Sequence, residues 1–144
     1  MSPYIRVIYH LIVSARIPMF RRNHIYYRFK KGEVTAIHIE TNQSATKLCQ
    51  ALSHPRTLMG DFYQLEKCVT ELTKQVFSKS IFDKPPIVII QLFGVSEGGY
   101  TNVEIRAFQE VMHRSKVKRV YFADSTELLS VADIKNNNFR LLEG

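Results

Sequence analysis

The segment 83–123 constrains the fold most strongly, because its pattern predicts a strand, a helix and a second strand in close succession. Ile87–Phe93 is a nearly unbroken apolar run, which is expected of a strand covered on both faces. Thr101 and Glu104 have the spacing of a capping box at the start of a helix, and Val117–Ala123 has the composition of a second buried strand. Two strands joined by one helix run parallel in a right-handed βαβ unit, so an α/β fold is predicted.

Three short strands in an antiparallel meander are predicted ahead of this unit. They are Ile17–Phe20, Ile25–Phe29 and Val34–Ile39, joined by polar turns at 21–24 and 30–32.

Helical signals follow the meander. The segment 41–56 is polar at first, and we expect one or two helical turns in its second half. Asp61 is a predicted N-cap with Gln64 at the capping-box position, and apolar residues then recur at helical spacing: Phe62, Leu65, Val69, Leu72 and Val76. In the helix of the βαβ unit the predicted apolar stripe is Val103, Phe108, Val111 and Met112. After Ala123, we expect Asp124 to cap a final short helix that ends at Asn136.

Length and composition limit the class of protein. A chain of 144 residues with 45% apolar content fits one domain with its own core. We predict that residues 17–144 form this domain and that residues 1–16 are an extension, either a strand or an amphipathic segment. No apolar run reaches the roughly 20 residues of a membrane-spanning helix. Cys49 and Cys68 have no CxxC spacing, so two reduced thiols and a cytoplasmic location are expected.

The positive charge is concentrated in the first third of the chain. The net charge is +7, and no acidic residue precedes Glu33, whereas seven arginines and lysines lie before it. Such a field favours anionic partners, either nucleic acid or the inner face of a membrane. Basic and aromatic residues alternate along the second predicted strand, which places them on one face of the meander: Arg22, His24, Tyr26, Arg28 and Lys30. A solvated basic face is the plainer interpretation of the same charges.

The predicted order of elements, β-β-β-α-β-α-β-α, is the layout of one subdomain of the actin-like ATPases, which have the ribonuclease-H-like fold. Residues 60–67 (GDFYQLEK) and 101–107 (TNVEIRA), followed by 117–122, resemble the corresponding segments of the MreB family of bacterial actin-like rod-shape proteins. The resemblance is collinear from about Ile17 to Ile134. It implies a mixed sheet with helices packed on it.

The resemblance also implies a degenerate nucleotide site. In the family, the turn after strand one is a Gly-Thr phosphate loop introduced by an aspartate. The turn that we match to it, 20–24, contains neither the aspartate nor the glycine. Glu104 matches the glutamate that orients the attacking water, although the capping box explains it without catalysis. No catalytic residue, metal ligand set or cofactor is therefore predicted, and the candidate anion-binding residues are Arg21, Arg22, His24 and Arg28.

These observations favour a non-enzymatic binding or regulatory module with a protein partner, for which the resemblance implies a cytoskeletal or envelope-associated protein. Self-association is a further expectation, because half of an actin-like fold leaves one surface without its other half. Two alternatives remain open. One is half of a split ATPase completed by another chain. The other is a binder of nucleic acid or anionic membrane surfaces through the basic first third.

Overall fold

The computed structural model describes residues 22–78, 84–94, 100–114 and 119–142. These residues form an α/β structure with a five-stranded mixed sheet and helices packed on both of its faces. The strands are β1 (His24–Lys30), β2 (Glu33–His38), β3 (Gln43–Leu48), β4 (Ile87–Phe93) and β5 (Arg119–Phe122). The helices are α1 (Phe62–Val76), α2 (Asn102–Arg114) and α3 (Val131–Lys135), and a 3-10 turn spans Gln50–Leu52.

The strands lie in the order β3-β2-β1-β4-β5. The pairs β1–β2 and β2–β3 are antiparallel, whereas β1–β4 and β4–β5 are parallel. Only β2 therefore runs against the other four strands. The predicted parallel βαβ unit is confirmed and β4 has the predicted bounds. The antiparallel pairing predicted for Ile25–Phe29 and Val34–Ile39 is found between β1 and β2.

Side-chain alternation divides the apolar residues between two cores. Ile25, Tyr27 and Phe29 of β1 point to the face that α1 and α2 cover, where Leu65, Val69 and Phe108 are buried. The opposite face buries a smaller cluster: Tyr26, Ile37, Ile39, Ile89, Ala123, Leu129 and Ile134. β4 contributes to both cores, which explains its nearly continuous apolar sequence.

The helix starts follow from side-chain caps. Asp61 accepts a hydrogen bond from the Gln64 amide at 3.0 Å and begins α1, as predicted. The prediction that Asp124 begins the last helix is wrong, because Ser130 and Asp133 form a reciprocal capping box six residues later. Each of these two side chains bonds the other's amide at 3.0 Å, so the helix cannot begin before Ser130.

The described meander consists of β1, β2 and β3 and begins one strand later in the sequence than predicted. The predicted strand Ile17–Phe20 and the predicted extension 1–16 lie outside the described residues. The third strand of the meander is instead Gln43–Leu48, which the sequence predicts as polar chain followed by helical turns. Asn42 adopts a φ of 59° in the turn before it, and Thr46 meets Thr35 of β2 with 2.8 Å between their hydroxyl oxygens. β3 is an exposed edge strand, so it lacks the apolar alternation that reveals a strand in sequence.

Candidate ligand crevice and the predicted site residues

The described structure contains one point where neighbouring parallel strands send the chain to opposite faces of the sheet. From β4 the chain continues to α2, which packs on the larger core, and from β5 it continues to α3, which packs on the smaller one. Ligands of open α/β sheets bind in the crevice outside the carboxyl ends of such strands. The candidate site therefore lies between the ends of β4 and β5.

A cavity of about 460 Å³ occupies this position. Its walls come from the end of β4, the end of β5 and the segment after β5, and they consist of Leu92, Phe93, Gly94, Tyr100, Phe122, Ala123, Asp124, Ser125, Thr126 and Leu142. We call it the switch-point crevice. Asp124 is exposed, and it is the one charged residue among these walls in the part of the chain that the structure describes. The crevice therefore carries a carboxylate and hydroxyl groups, and a phosphate group would find no cation there.

Gln91 holds the far wall of the crevice in place from inside the sheet. Its side chain is fully buried on β4, and its amide nitrogen donates hydrogen bonds to the carbonyls of Ser125 at 2.9 Å and Glu127 at 2.6 Å. Its amide oxygen accepts a hydrogen bond from the Tyr26 hydroxyl. The position of residues 124–127 thus depends on one buried glutamine.

Tyr26 and Arg28 extend the same buried polar cluster along β1. The Tyr26 hydroxyl accepts a hydrogen bond from the Leu129 amide at 3.3 Å, and Arg28 Nη2 donates one to the Leu129 carbonyl at 3.2 Å. The Arg28 guanidinium also lies over the Tyr26 ring, with 4.9 Å from Cζ to the ring centroid. These contacts fix residues 124–130 to the sheet without regular secondary structure.

Tyr100 closes the other side of the crevice. Its hydroxyl accepts a hydrogen bond from the Gly94 amide and donates one to the Gly94 carbonyl at 3.3 Å. A Cβ atom at position 94 would lie 3.1 Å from that hydroxyl and 3.3 Å from Leu58 Cβ, so glycine allows the close approach. Burial raises the pKa of Tyr100, and the nearby Glu104 carboxylate raises it further, against the effect of the Gly94 hydrogen bond. The hydroxyl therefore remains protonated and neutral at physiological pH.

Glu104 is engaged in structural hydrogen bonds. Its Oε2 accepts from the Thr101 amide at 3.2 Å, while its own amide donates to the Thr101 hydroxyl at 3.1 Å, so the predicted capping box is present. Its other carboxylate oxygen accepts from the Thr57 hydroxyl at 3.1 Å. The side chain thereby links the start of α2 to the segment before α1.

We expect Glu104→Ala to lower the free energy of unfolding by about 1 kcal/mol, because it removes one half of the capping box. Glu104→Gln is expected to retain most of that stability, since glutamine can accept the same hydrogen bond from Thr101. Urea denaturation of the two variants and the wild type measures both effects. Equal destabilisation by alanine and glutamine would show that the carboxylate charge, rather than the cap, stabilises this position.

The candidate anion-binding residues that the structure describes each have a hydrogen-bond partner within the chain. Arg21 lies outside the described residues. Arg22 Nη1 donates to the Pro85 carbonyl at 3.0 Å, His24 contacts Glu40, and Arg28 contacts Leu129. Within the predicted cationic face of the meander, Tyr26 is fully buried, Arg22, His24 and Arg28 are partly buried, and Lys30 is exposed. The alternation itself is correct, but residues 124–135 cover that face and bury Tyr26 completely.

His24 and Glu40 form a polar pair at the amino end of β1. Glu40 accepts hydrogen bonds from the His24 amide at 2.5 Å and from its ring Nδ1 at 2.9 Å. Glu40 Oε1 also lies 3.7 Å from Nε2 of the buried His38. Burial alone would raise the pKa of Glu40, but the His24 hydrogen bonds and the charges of His24 and His38 outweigh it and lower that pKa below 4.5.

This lowered pKa predicts a dependence of stability on pH. The ionised Glu40 stabilises the folded state above the unfolded pKa of about 4.5, and that contribution is lost as the pH falls through the lower folded pKa. We expect the wild type to lose more stability than Glu40→Gln between about pH 5 and about pH 3. Urea denaturation of both proteins across that range is the measurement. Parallel curves would contradict the prediction.

The turn after the first described strand of the sheet differs from the segment 20–24, which the resemblance matches to a phosphate loop. β1 pairs with β4 and is followed by the two-residue turn Lys31-Gly32. Gly32 has a φ of +81°, and its amide donates to the Leu52 carbonyl at 3.0 Å. Of the matched segment 20–24, residues 22 and 23 precede β1, His24 begins it, and residues 20 and 21 lie outside the described residues. A turn this short, with its glycine amide already bonded, cannot surround a phosphate group.

Cys49 and Cys68 are free thiols. Burial and a hydrogen bond with Cys68 raise the pKa of Cys49 to about 12, so this thiol is unreactive as a nucleophile at neutral pH. Over the described ranges, histidine, cysteine and acidic side chains form no cluster of three or more that could hold a metal ion. The helices of those same ranges include none with the length and apolar character needed to cross a membrane.

An apolar groove that the sequence does not predict lies between α1 and α2. It has a volume of about 620 Å³ and is lined by Phe62, Asn102, Val103, Arg106, Ala107 and Glu110. Val103 is 75% exposed, so its predicted place in the buried stripe is wrong. At 100° per residue it lies about 140° around the helix from Phe108. That angle is the signal in the sequence that could have revealed a second, exposed apolar position.

Comparisons with protein-family models, curated proteins and solved structures find no match to this chain.

Proposed function

We propose that this chain is a non-enzymatic binding or regulatory module with a ribonuclease-H-like fold, similar to one subdomain of the MreB-type actins and degenerate at the nucleotide site. The order of the described elements supports the finer fold assignment. Three meander strands are followed by α1, β4, α2, β5 and α3, which is the order that the resemblance implies.

The observation that carries the functional proposal is the turn after β1. In the actin-like ATPases the corresponding turn is a phosphate loop, and phosphoryl transfer depends on such positioning and charge neutralisation. Here it is reduced to Lys31-Gly32, and the Gly32 amide is bonded within the chain. The described walls of the switch-point crevice include no cation that could pair with the phosphates of a nucleotide.

The split ATPase is the less favoured alternative. It requires Glu104 to orient a water molecule, but both carboxylate oxygens of Glu104 already accept hydrogen bonds from Thr101 and Thr57. A second chain would also have to supply every phosphate contact. The anion-binding alternative is weakened in a similar way, because Arg22 and Arg28 donate to carbonyl groups of the chain itself.

A protein partner is supported by exposed apolar surface. Tyr63 and Val103 are 74% and 75% exposed, and both lie at or beside the groove between α1 and α2. Exposed apolar surface around a groove is typical of protein interaction sites. The resemblance to MreB-type proteins is the reason to expect a cytoskeletal or envelope-associated partner.

Affinity capture from the native cell tests the proposal, with the wild type and the Arg21→Ala/Arg22→Ala double variant as bait. We expect both baits to retain one protein at a fixed ratio in about 1 M salt, where the Debye length is about 3 Å and attraction between exposed charges is largely screened. The captured protein is then purified and mixed with the bait to confirm direct binding. Recovery of nucleic acid or lipid alone, lost with the double variant or at high salt, would contradict the proposal and favour the anion binder.

A further inference from the structure

The outer face of α2 carries both signs of charge beside apolar residues. Val103, Arg106, Ala107 and Glu110 follow the i, i+3, i+4, i+7 spacing and therefore share one face of the helix, and all four line the groove with Phe62. Arg106 and Glu110 are exposed. Neither side chain has a hydrogen bond or salt bridge within the described part of the chain, so both charges are available to another molecule.

The edge of the groove is already neutral. Arg114 Nε forms a salt bridge with Glu66 at 2.6 Å, and the Arg114 guanidinium lies 5.8 Å from the centre of the Phe62 ring. This pair joins the end of α2 to α1 and leaves Arg106 and Glu110 as the unpaired charges of the face. The chain carries a net charge of +7, yet this surface is locally balanced and would not repel a second copy.

We propose that the groove between α1 and α2 binds a second copy of this chain, forming a two-fold symmetric dimer in which the two α2 helices pack antiparallel. The inference assigns an occupant to the groove that the proposed function uses as evidence for a protein partner, and sedimentation of the purified chain tests it separately from affinity capture. A two-fold axis near Ala107 places Arg106 opposite Glu110 of the partner subunit, and the same axis repeats that ion pair with the roles exchanged. Ala107 at the centre allows close approach of the helices, and Val103 and Phe62 supply the apolar contact.

Charge complementarity selects a second copy over an unrelated partner. A foreign helix would need matching charges of its own, whereas this face is complementary to itself under the two-fold rotation. This two-fold complementarity predicts how charge-reversal variants behave. Arg106→Glu or Glu110→Arg alone places like charges opposite each other twice, whereas the double variant restores both pairs with exchanged signs.

Sedimentation equilibrium across a dilution series, in low salt and with a reducing agent, is the test. We expect the wild type to form a species of twice the 16.7 kDa chain mass. Each single reversal should weaken dimerisation by about tenfold or more, since 1.4 kcal/mol corresponds to one factor of ten. The double variant should dimerise as the wild type does. Lys135→Glu, on the opposite face of the sheet, changes the net charge as Arg106→Glu does and should leave dimerisation unchanged.

Mixing the two single variants gives the sharpest result. Arg106→Glu carries two negative charges on this face and Glu110→Arg carries two positive charges, so each is expected to remain monomeric alone and to form a heterodimer with the other. Circular dichroism confirms that every variant is folded. A wild type that sediments as a monomer up to about 100 μM, well above the micromolar range of an ordinary interface, would overturn the proposal. So would a dimer that the single reversals leave unaffected, or a mixture that fails to associate.

Discussion

Replacing Gln91 with leucine is expected to lower the free energy of unfolding by about 3 kcal/mol. The side chain is fully buried, and its amide bonds three other groups: the buried Tyr26 hydroxyl and the partly buried carbonyls of Ser125 and Glu127. Leucine has a similar volume, so the loss comes from polar groups left without partners rather than from a cavity. Urea denaturation measures the change.

The matched control for this variant is Gln75→Leu, which makes the same substitution at an exposed position of α1. It is expected to change stability by less than about 0.5 kcal/mol. Hydrogen exchange distinguishes a local loosening of residues 124–130 from a loss of global stability. The Leu129 amide, which donates to Tyr26, should exchange its hydrogen faster in Gln91→Leu than in the wild type. A loss below about 1 kcal/mol would show that residues 124–130 do not depend on Gln91.

Replacing Leu72 with alanine is expected to cost about 3 kcal/mol. Leu72 is fully buried where α1 packs on the larger core, and truncation removes apolar contacts and leaves a cavity that the sheet cannot refill. The effect tests whether α1 covers this face of the sheet. The midpoint of urea denaturation reports it directly.

Leu48→Ala is the matched control, because the same atoms are removed from a leucine that is 81% exposed on β3. We expect a change below about 0.5 kcal/mol. Similar losses for the two variants would contradict the described burial. A large loss for Leu48 alone would indicate that the edge strand is covered in solution.

The strong elements of the fold could be predicted because their sequences carry their own periodicity. β4 is buried on both faces and is apolar throughout, and α1 shows one stripe at helical spacing with its N-cap. β3 could not be predicted in the same way, because it is a polar edge strand held by backbone pairing with β2. The start of α3 depends on a choice between two capping residues, Asp124 and Ser130, and each has an acidic residue three positions later in the sequence. The structure forms the capping box between Ser130 and Asp133.

The site was harder to predict than the fold, because its parts are distant in the sequence. The switch-point crevice joins Gly94 to Asp124 through the parallel pairing of β4 and β5, and no local pattern reports that pairing. The candidate anion-binding residues illustrate the same difficulty. Alternation along β1 places His24 and Arg28 on one face, but whether that face is open depends on the path of the chain after β5. The capping role of Glu104, in contrast, could be predicted from local sequence, because Thr101 lies three residues before it.

The most direct test of the central claim, that this chain binds other molecules without serving as a nucleotide site, is isothermal titration with Mg-ATP. Because the turn after β1 is only Lys31-Gly32 and the described walls of the crevice contain no cation, we expect no saturable heat up to about 1 mM nucleotide, a range that detects even a binding free energy near −4 kcal/mol. Saturable binding with a dissociation constant in the micromolar range would contradict the account.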